Sequence, residues 1–145
     1  MSNPQADLYA ALSRAQARAR AVEKDARNQF HKYDYASAEA ILHESKECLT
    51  SEGLAVIPSK LFCSPLAEQW QGAVAMLNAT WIVVHAAGGS LVIEGSWPVI
   101  PEKGRPYDKA LAAARTASLG YLLRDLLNLP RVEKGTDLDA NERDQ

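Results

Sequence analysis

Apolar residues recur along the chain first at helical spacing, then in alternation, then at helical spacing again, and each change of period marks a change of element. Over residues 5 to 23, Leu8, Leu12, Ala15, Ala19 and Val22 fall three or four apart among strong helix formers. Asn3 and Pro4 supply a cap and a first-turn proline, and the arginines fall on the opposite face. From Asn28 to Tyr35 the helical period gives way to aromatic and polar alternation, which reads as a short extended piece. Ser37 then caps a second helix, with Ile41, Leu42, Ser45 and Leu49 on one side and Gly53 as its stop.

The middle of the chain reads as β. Leu54 to Ile57 leads one strand, and Pro58 and Pro65 confine it to a sheet edge or interrupt it. Ala73 to His85 is a long apolar run, with Thr80, Ile82 and Val84 facing one way and Trp81, Val83 and His85 the other. Gly88-Gly89 predicts the tip of an antiparallel hairpin whose returning strand is Leu91 to Val99. After the loop from Pro101 to Pro106, residues 107 to 128 carry Leu111, Ala114, Leu119, Leu122, Leu123, Leu126 and Leu127, a broad stripe able to cover one sheet face, with Pro130 as its stop. The expected fold class is α+β: an antiparallel β-sheet of about three or more strands flanked by helices, in the order α, short β, α, β, β, β, α. Residues 1–130 are expected to form one domain, and residues 131–145 an acidic, flexible tail.

Composition narrows the function classes. A chain of 145 residues with 47% hydrophobic and 23% charged residues is ordinary for one globular domain, so neither disorder nor a fibrous fold is suggested. The net charge of −2 argues against a uniformly basic nucleic-acid binder, yet residues 14 to 32 gather Arg14, Arg18, Arg20, Lys24, Arg27 and Lys32 against only Glu23 and Asp25. The start has no apolar core of signal-peptide length and no stretch is long enough to span a membrane, which predicts a soluble, cytoplasmic protein. Cys48 and Cys63 have no paired spacing and read as reduced thiols.

Catalytic signatures are missing from the sequence. His31, His43 and His85 share no common spacing, and His85, beside a glycine turn, reads as structural. Asp137 and Asp139 sit in the acidic tail and read as solvated carboxylates. No catalytic residue, metal or cofactor is expected. What stands out is KDARNQFHKYDY, residues 24 to 35, which interleaves bases able to hold phosphates with aromatics able to stack on nucleobases. On composition alone the simpler reading is a hinge whose aromatics plug the space between helices and sheet.

Two blocks change that balance. The stretch KDARNQFHKYDYASAEAILHESKECLTSEGLAV resembles the opening signature of the Erf (essential recombination function) family of phage single-strand annealing proteins, part of the recombination-mediator superfamily; Lys24, Asn28, Phe30, Tyr35, Ala36, Ile41, Leu49, Gly53 and Leu54 carry the likeness. VVHAAGGSLVIEGSWPV is similar to the family's hairpin through His85, Gly88 or Gly89, Trp97 and Pro98. The last helix matches only at Thr116, Tyr121, Leu123 and Leu127, with Ala117 where an aromatic is usual and Gly120 where an arginine is usual; Arg115 and Arg124 stand as substitutes.

The resemblance spans roughly residues 20 to 130 and implies a helix-flanked antiparallel sheet that holds single-stranded DNA in an outer groove of a ring or helical filament. It implies an ATP-independent single-stranded DNA-binding protein, not an enzyme, that anneals complementary strands in phage or prophage recombination inside a bacterial host. A single-strand-binding protein or exonuclease of host or phage would be a further partner, and no membrane is involved. The expected DNA-binding residues are Lys24, Arg27, Asn28, Lys32, Tyr33, Tyr35, Lys103, Arg105, Lys109, Arg115 and Arg124. Phe30 is expected in the core, with one of Tyr33 and Tyr35 accessible. Strand addition at exposed sheet edges is the expected route to self-assembly. The alternative is a protein-interaction module or adaptor on the same fold that has lost annealing, a reading suggested by the altered last helix.

Overall fold

A computed structural model of the chain describes residues 3–23, 26–28, 33–35 and 37–132, with residues 23, 26–28, 33–35 and 131–132 described by their backbone alone. The first helix, α1, spans Pro4–Arg18. Asn3 caps it, its side-chain oxygen accepting hydrogen bonds from the backbone N–H groups of Gln5 and Ala6 at 3.1 and 3.2 Å. It ends before the predicted residue 23, because Ala19 turns to extended backbone and Val22 pairs as a strand instead. That strand, β1 (Val22–Glu23), precedes β2 (Ala26–Asn28) and β3 (Tyr33–Tyr35). The last two pair antiparallel, with Ala26 opposite Tyr35, Arg27 opposite Asp34 and Asn28 opposite Tyr33. Within the span whose alternation predicts an extended piece, Asn28 and residues 33–35 are therefore extended.

Helix α2 covers Ala38–Thr50, and the Ser37 hydroxyl accepts from the Ala40 N–H at 3.1 Å. Gly53 stops the helix region with a φ of +71, and its carbonyl accepts from the Ala86 N–H at 2.9 Å. Three long strands follow, β4 (Leu54–Trp70), β5 (Ala73–His85) and β6 (Ser90–Val99), hydrogen-bonded antiparallel in that order. β4 runs through both prolines because it is an edge strand and breaks register beside each of them. Its turn into β5, Gln71-Gly72, has positive φ at both residues (52 and 86), the two-residue turn whose twist suits a hairpin.

The β5–β6 turn falls at Gly88-Gly89 as predicted. The His85 N–H donates to the Gly89 carbonyl at 2.9 Å, and His85 Nδ1 accepts from the Ala87 N–H at 3.3 Å, so this histidine serves the turn. A side chain at Gly89 would collide with the Pro4 carbonyl, which is how closely α1 begins over this turn. Gln5 fixes the approach by bonding both the N–H and the carbonyl of Ser90, at 3.2 and 2.8 Å.

Every second residue of β5 from Ala73 to Val83 is buried, and α3 (Tyr107–Leu127) lies over that face. At one end the packing partners are small, with Ala75, Leu77 and Val99 meeting Ala110 and Ala114. At the other, Val83 and Leu54 meet Leu123, Leu126 and Leu127 together with Leu8, Ala11 and Ala15 of α1 and Ile41, Cys48 and Leu49 of α2. α3 ends on Asn128 in the left-handed conformation, with the Leu129 N–H returned to the Arg124 carbonyl at 2.9 Å and Leu129 buried. Two residues on, β7 (Arg131–Val132) pairs parallel with β1, which brings the segment after α3 beside the strand that follows α1. One core expectation fails: Leu42, placed with Ile41 and Leu49 by helical period, is 43% exposed because it faces a groove rather than the core.

Candidate nucleic-acid interface

α2 crosses α3 at Gly120, where a Cβ would lie 3.6 Å from the Cβ of Ala38. Two grooves share that crossing. The first, about 510 Å³, lies between α2, β4 and α3 and is walled by Leu42, Leu49, Val56, Leu119 and Leu123, with Trp81 and Ser45 buried beneath. Its charged residues are Glu39, Lys46 and Arg115. Ser45 is fully buried, and its hydroxyl has no hydrogen-bond partner among the described residues.

The second groove, about 760 Å³, runs along another flank of α3 between the start of α2, the end of β6 and the loop before α3. Here Trp97 of β6 stacks on Tyr121 of α3, with ring centroids 4.8 Å apart and planes inclined by 27°. The Arg124 guanidinium lies over the same tyrosine, 5.4 Å from its centroid. Tyr121 and Arg124 meet because residues three apart share a helix face. Trp97 reaches them because it pairs with Leu77 on the sheet face that α3 covers. Tyr121 keeps 43% of its surface exposed, so one ring is anchored while offering area to a ligand.

Arg105 joins this groove through a tight turn. The backbone N–H and carbonyl groups of Glu102 and Arg105 exchange two hydrogen bonds, 3.0 and 2.8 Å long, and Gly104 supplies the positive φ of 84 that the turn needs. Lys103 stands exposed at the tip, and Lys109 is exposed in the first turns of α3. Near the loop, the Tyr107 hydroxyl lies 3.2 Å from Cys63 Sγ, a contact that pushes the phenol above its ordinary pKa. On α2, burial followed by the nearby Glu44 carboxylate pushes the Cys48 thiol above its ordinary pKa.

The residues expected to bind DNA are thus distributed over several places. Arg105 and Arg124 line the second groove together, whereas Arg115 lines the first. Arg27, Asn28, Tyr33 and Tyr35 lie on the β2–β3 ribbon, Tyr33 and Tyr35 two apart and so at positions of the same parity. The ribbon leads into Ser37 and Ala38, which line the second groove. Lys24, Lys32 and Phe30 lie outside the described residues. Of the arginines on α1, Arg14 and Arg18 place their Nε atoms 2.6 and 3.0 Å from the two carboxylate oxygens of Glu52, so this part of the basic segment is already paired.

A family model of the ERF superfamily matches residues 8–145 of this chain. The chain belongs to the ERF superfamily. No curated protein matches it. Within this ERF chain, Gly120 marks the helix crossing itself, packed on Ala38, and the cation of α3 nearest the aromatic stack is Arg124, one turn further on. Trp97 and Tyr121 escaped the sequence reading as site residues because they lie on different elements, and only the docking of α3 on β6 brings them together. Among the described residues, no group of three or more His, Cys, Asp or Glu side chains could hold a metal ion. No described helix is long and apolar enough to cross a membrane.

Proposed function

We propose that the chain binds single-stranded DNA and anneals complementary strands without ATP, in phage or prophage recombination in a bacterial cytoplasm. The observation that carries this reading is the Trp97–Tyr121–Arg124 stack with Arg105 in the same groove. Cations hold phosphates without reading sequence, and an exposed ring stacks on any base. Annealing needs both properties together, because a strand gripped by its backbone leaves its pairing edges open to a complement. The β2–β3 ribbon, leading into this groove, adds Arg27, Asn28, Tyr33 and Tyr35 to the path, and Lys24, Lys32, Lys103 and Lys109 complete it. Self-assembly repeats the short site into a continuous track, whose avidity exceeds that of one protomer.

The test is binding of a labelled single-stranded oligonucleotide against a duplex of the same sequence, with annealing of complementary strands followed in the absence of nucleotide. Preference for the single strand and faster annealing are expected. Equal binding to both forms with no acceleration defeats the proposal. The apolar first groove favours a second reading, an adaptor that holds a protein segment and has lost annealing; strand annealing by the isolated chain at moderate salt removes it.

A further inference from the structure

The sheet presents a large apolar side chain at one end and an apolar groove toward the other. Trp70 closes β4 beside the Gln71-Gly72 turn and is 61% exposed, more than any other large apolar residue described as exposed. The first groove is walled by leucines and contains Leu42, itself exposed. These features cannot meet within one chain. Trp70 pairs with Ala73, and Trp81, beneath the groove, lies eight residues further along β5, a separation of roughly 27 Å at the rise of a strand.

We propose that Trp70 of one copy inserts into the groove between α2, β4 and α3 of the next copy, giving a head-to-tail contact. This rests on the self-assembly part of the proposed function and names its interface. Charge agrees with it: Glu68, beside Trp70, is the single charged residue between Lys60 and His85, and the groove carries Lys46 and Arg115 against Glu39.

The sheet edges argue against the expected strand addition. β4 carries Pro58 and Pro65 with a register break at each, and β6, the opposite edge, carries Pro98, and proline on an edge strand is one of the devices that discourage strand addition. A contact between two different patches closes into a ring or extends as a filament according to its rotation, so it serves either form of assembly.

The experiment measures mass in solution without DNA, by sedimentation, for the native chain, Trp70→Ala and Leu119→Arg. Both variants are expected to lower the self-association constant by at least about 30-fold, the effect of losing a buried interface anchor. In a Cys63→Ser background, a Trp70→Cys chain mixed with a Leu42→Cys chain should form a covalent pair under mild oxidation, and neither should do so alone. The cross-link tests the contact even if a groove substitution unfolds the chain. A monomeric native protein, or native mass in Trp70→Ala with no mixed cross-link, overturns the proposal. So does a Trp70→Ala chain of native mass that has lost affinity for single-stranded oligonucleotide, which would assign Trp70 to DNA. Because assembly is read without DNA, failure here leaves the annealing reading to its own assay.

Discussion

On one side of the Ala38–Gly120 crossing α3 offers Leu119 and Leu123, and on another it offers Tyr121 and Arg124. The first groove has aliphatic walls and, beneath them, a hydroxyl without a partner among the described residues; the second has a stacked aromatic pair, a guanidinium lying on it, and a second arginine delivered by a turn. One helix can face both because its residues sweep through a full circle every 3.6 positions, and its remaining side is spent on the sheet. The difference teaches that basic residues of α3 are not equivalent. Arg115 stands with leucines in the apolar groove, and Arg124 stands with aromatics in the other.

The largest effect expected from breaking this contrast comes from Tyr121→Ala. It should cost single-strand affinity about 1–3 kcal/mol, the usual worth of one stacked base, whereas Leu42→Ala in the other groove should leave affinity unchanged for an oligonucleotide short enough to sit on one protomer, where avidity plays no part. Fluorescence anisotropy with one oligonucleotide at fixed salt measures both. The arginines sharpen the same point. A double Arg105→Ala, Arg124→Ala variant should lower the slope of log affinity against log salt by about 1.4, at roughly 0.7 per phosphate on single strands, and Arg115→Ala should leave the slope as it is. Equal slopes in the three proteins would erase the distinction between the grooves.

A smaller effect is expected from Ser45→Ala, and it should appear in the stability of the fold alone. Removing a buried hydroxyl that has no partner relieves a desolvation cost and should stabilise the fold by about 1 kcal/mol, read as a rise in melting temperature of roughly 3–5 °C. The same change should leave self-association unchanged, since a hydroxyl with no accessible surface is out of reach of an incoming side chain. A variant that melts lower would mean that Ser45 has a role inside the monomer.

The elements were legible in the sequence wherever burial is periodic. The alternation of β5, the glycine turn before β6 and the leucine stripe of α3 each report a single face meeting a single core, and period alone reads that. The grooves were not legible, because a groove is defined by elements that are distant in sequence. Leu42 fits the apolar period of α2 as well as Ile41 does, and only the gap between α2, β4 and α3 separates them. Trp97 and Tyr121 carry no signal of contact until β6 and α3 dock. The hairpin turn at Gln71-Gly72 has no clear sequence signal, because two prolines interrupt the strand pattern before it, whereas an edge strand tolerates them by shifting register. Conversely, the basic run from Arg14 reads as one patch in sequence, and folding divides it by bringing Glu52 from the end of α2 against α1.

That last division gives the smallest of the expected effects. The Arg14 hydrogen bond holds the Glu52 carboxyl below the usual carboxylate range, with the charges of Arg14 and Arg18 adding to it and partial burial opposing. A carboxyl whose pKa is lower folded than unfolded stabilises the fold at pH values above its unfolded pKa, and that contribution disappears as pH falls through the lower, folded value. The native chain should therefore lose more stability than Glu52→Gln on acidification from about pH 6 to pH 3, with the two melting curves converging at the acid end. Exposed guanidinium partners are screened by water and salt, so the gap should shrink further at high ionic strength. Freeing Arg14 and Arg18 in this variant also tests the comparison between the grooves from outside. If the DNA path follows the aromatic groove and the β2–β3 ribbon, two newly unpaired arginines on α1 should not steepen the salt dependence of oligonucleotide binding, and a steeper slope would extend the path onto α1.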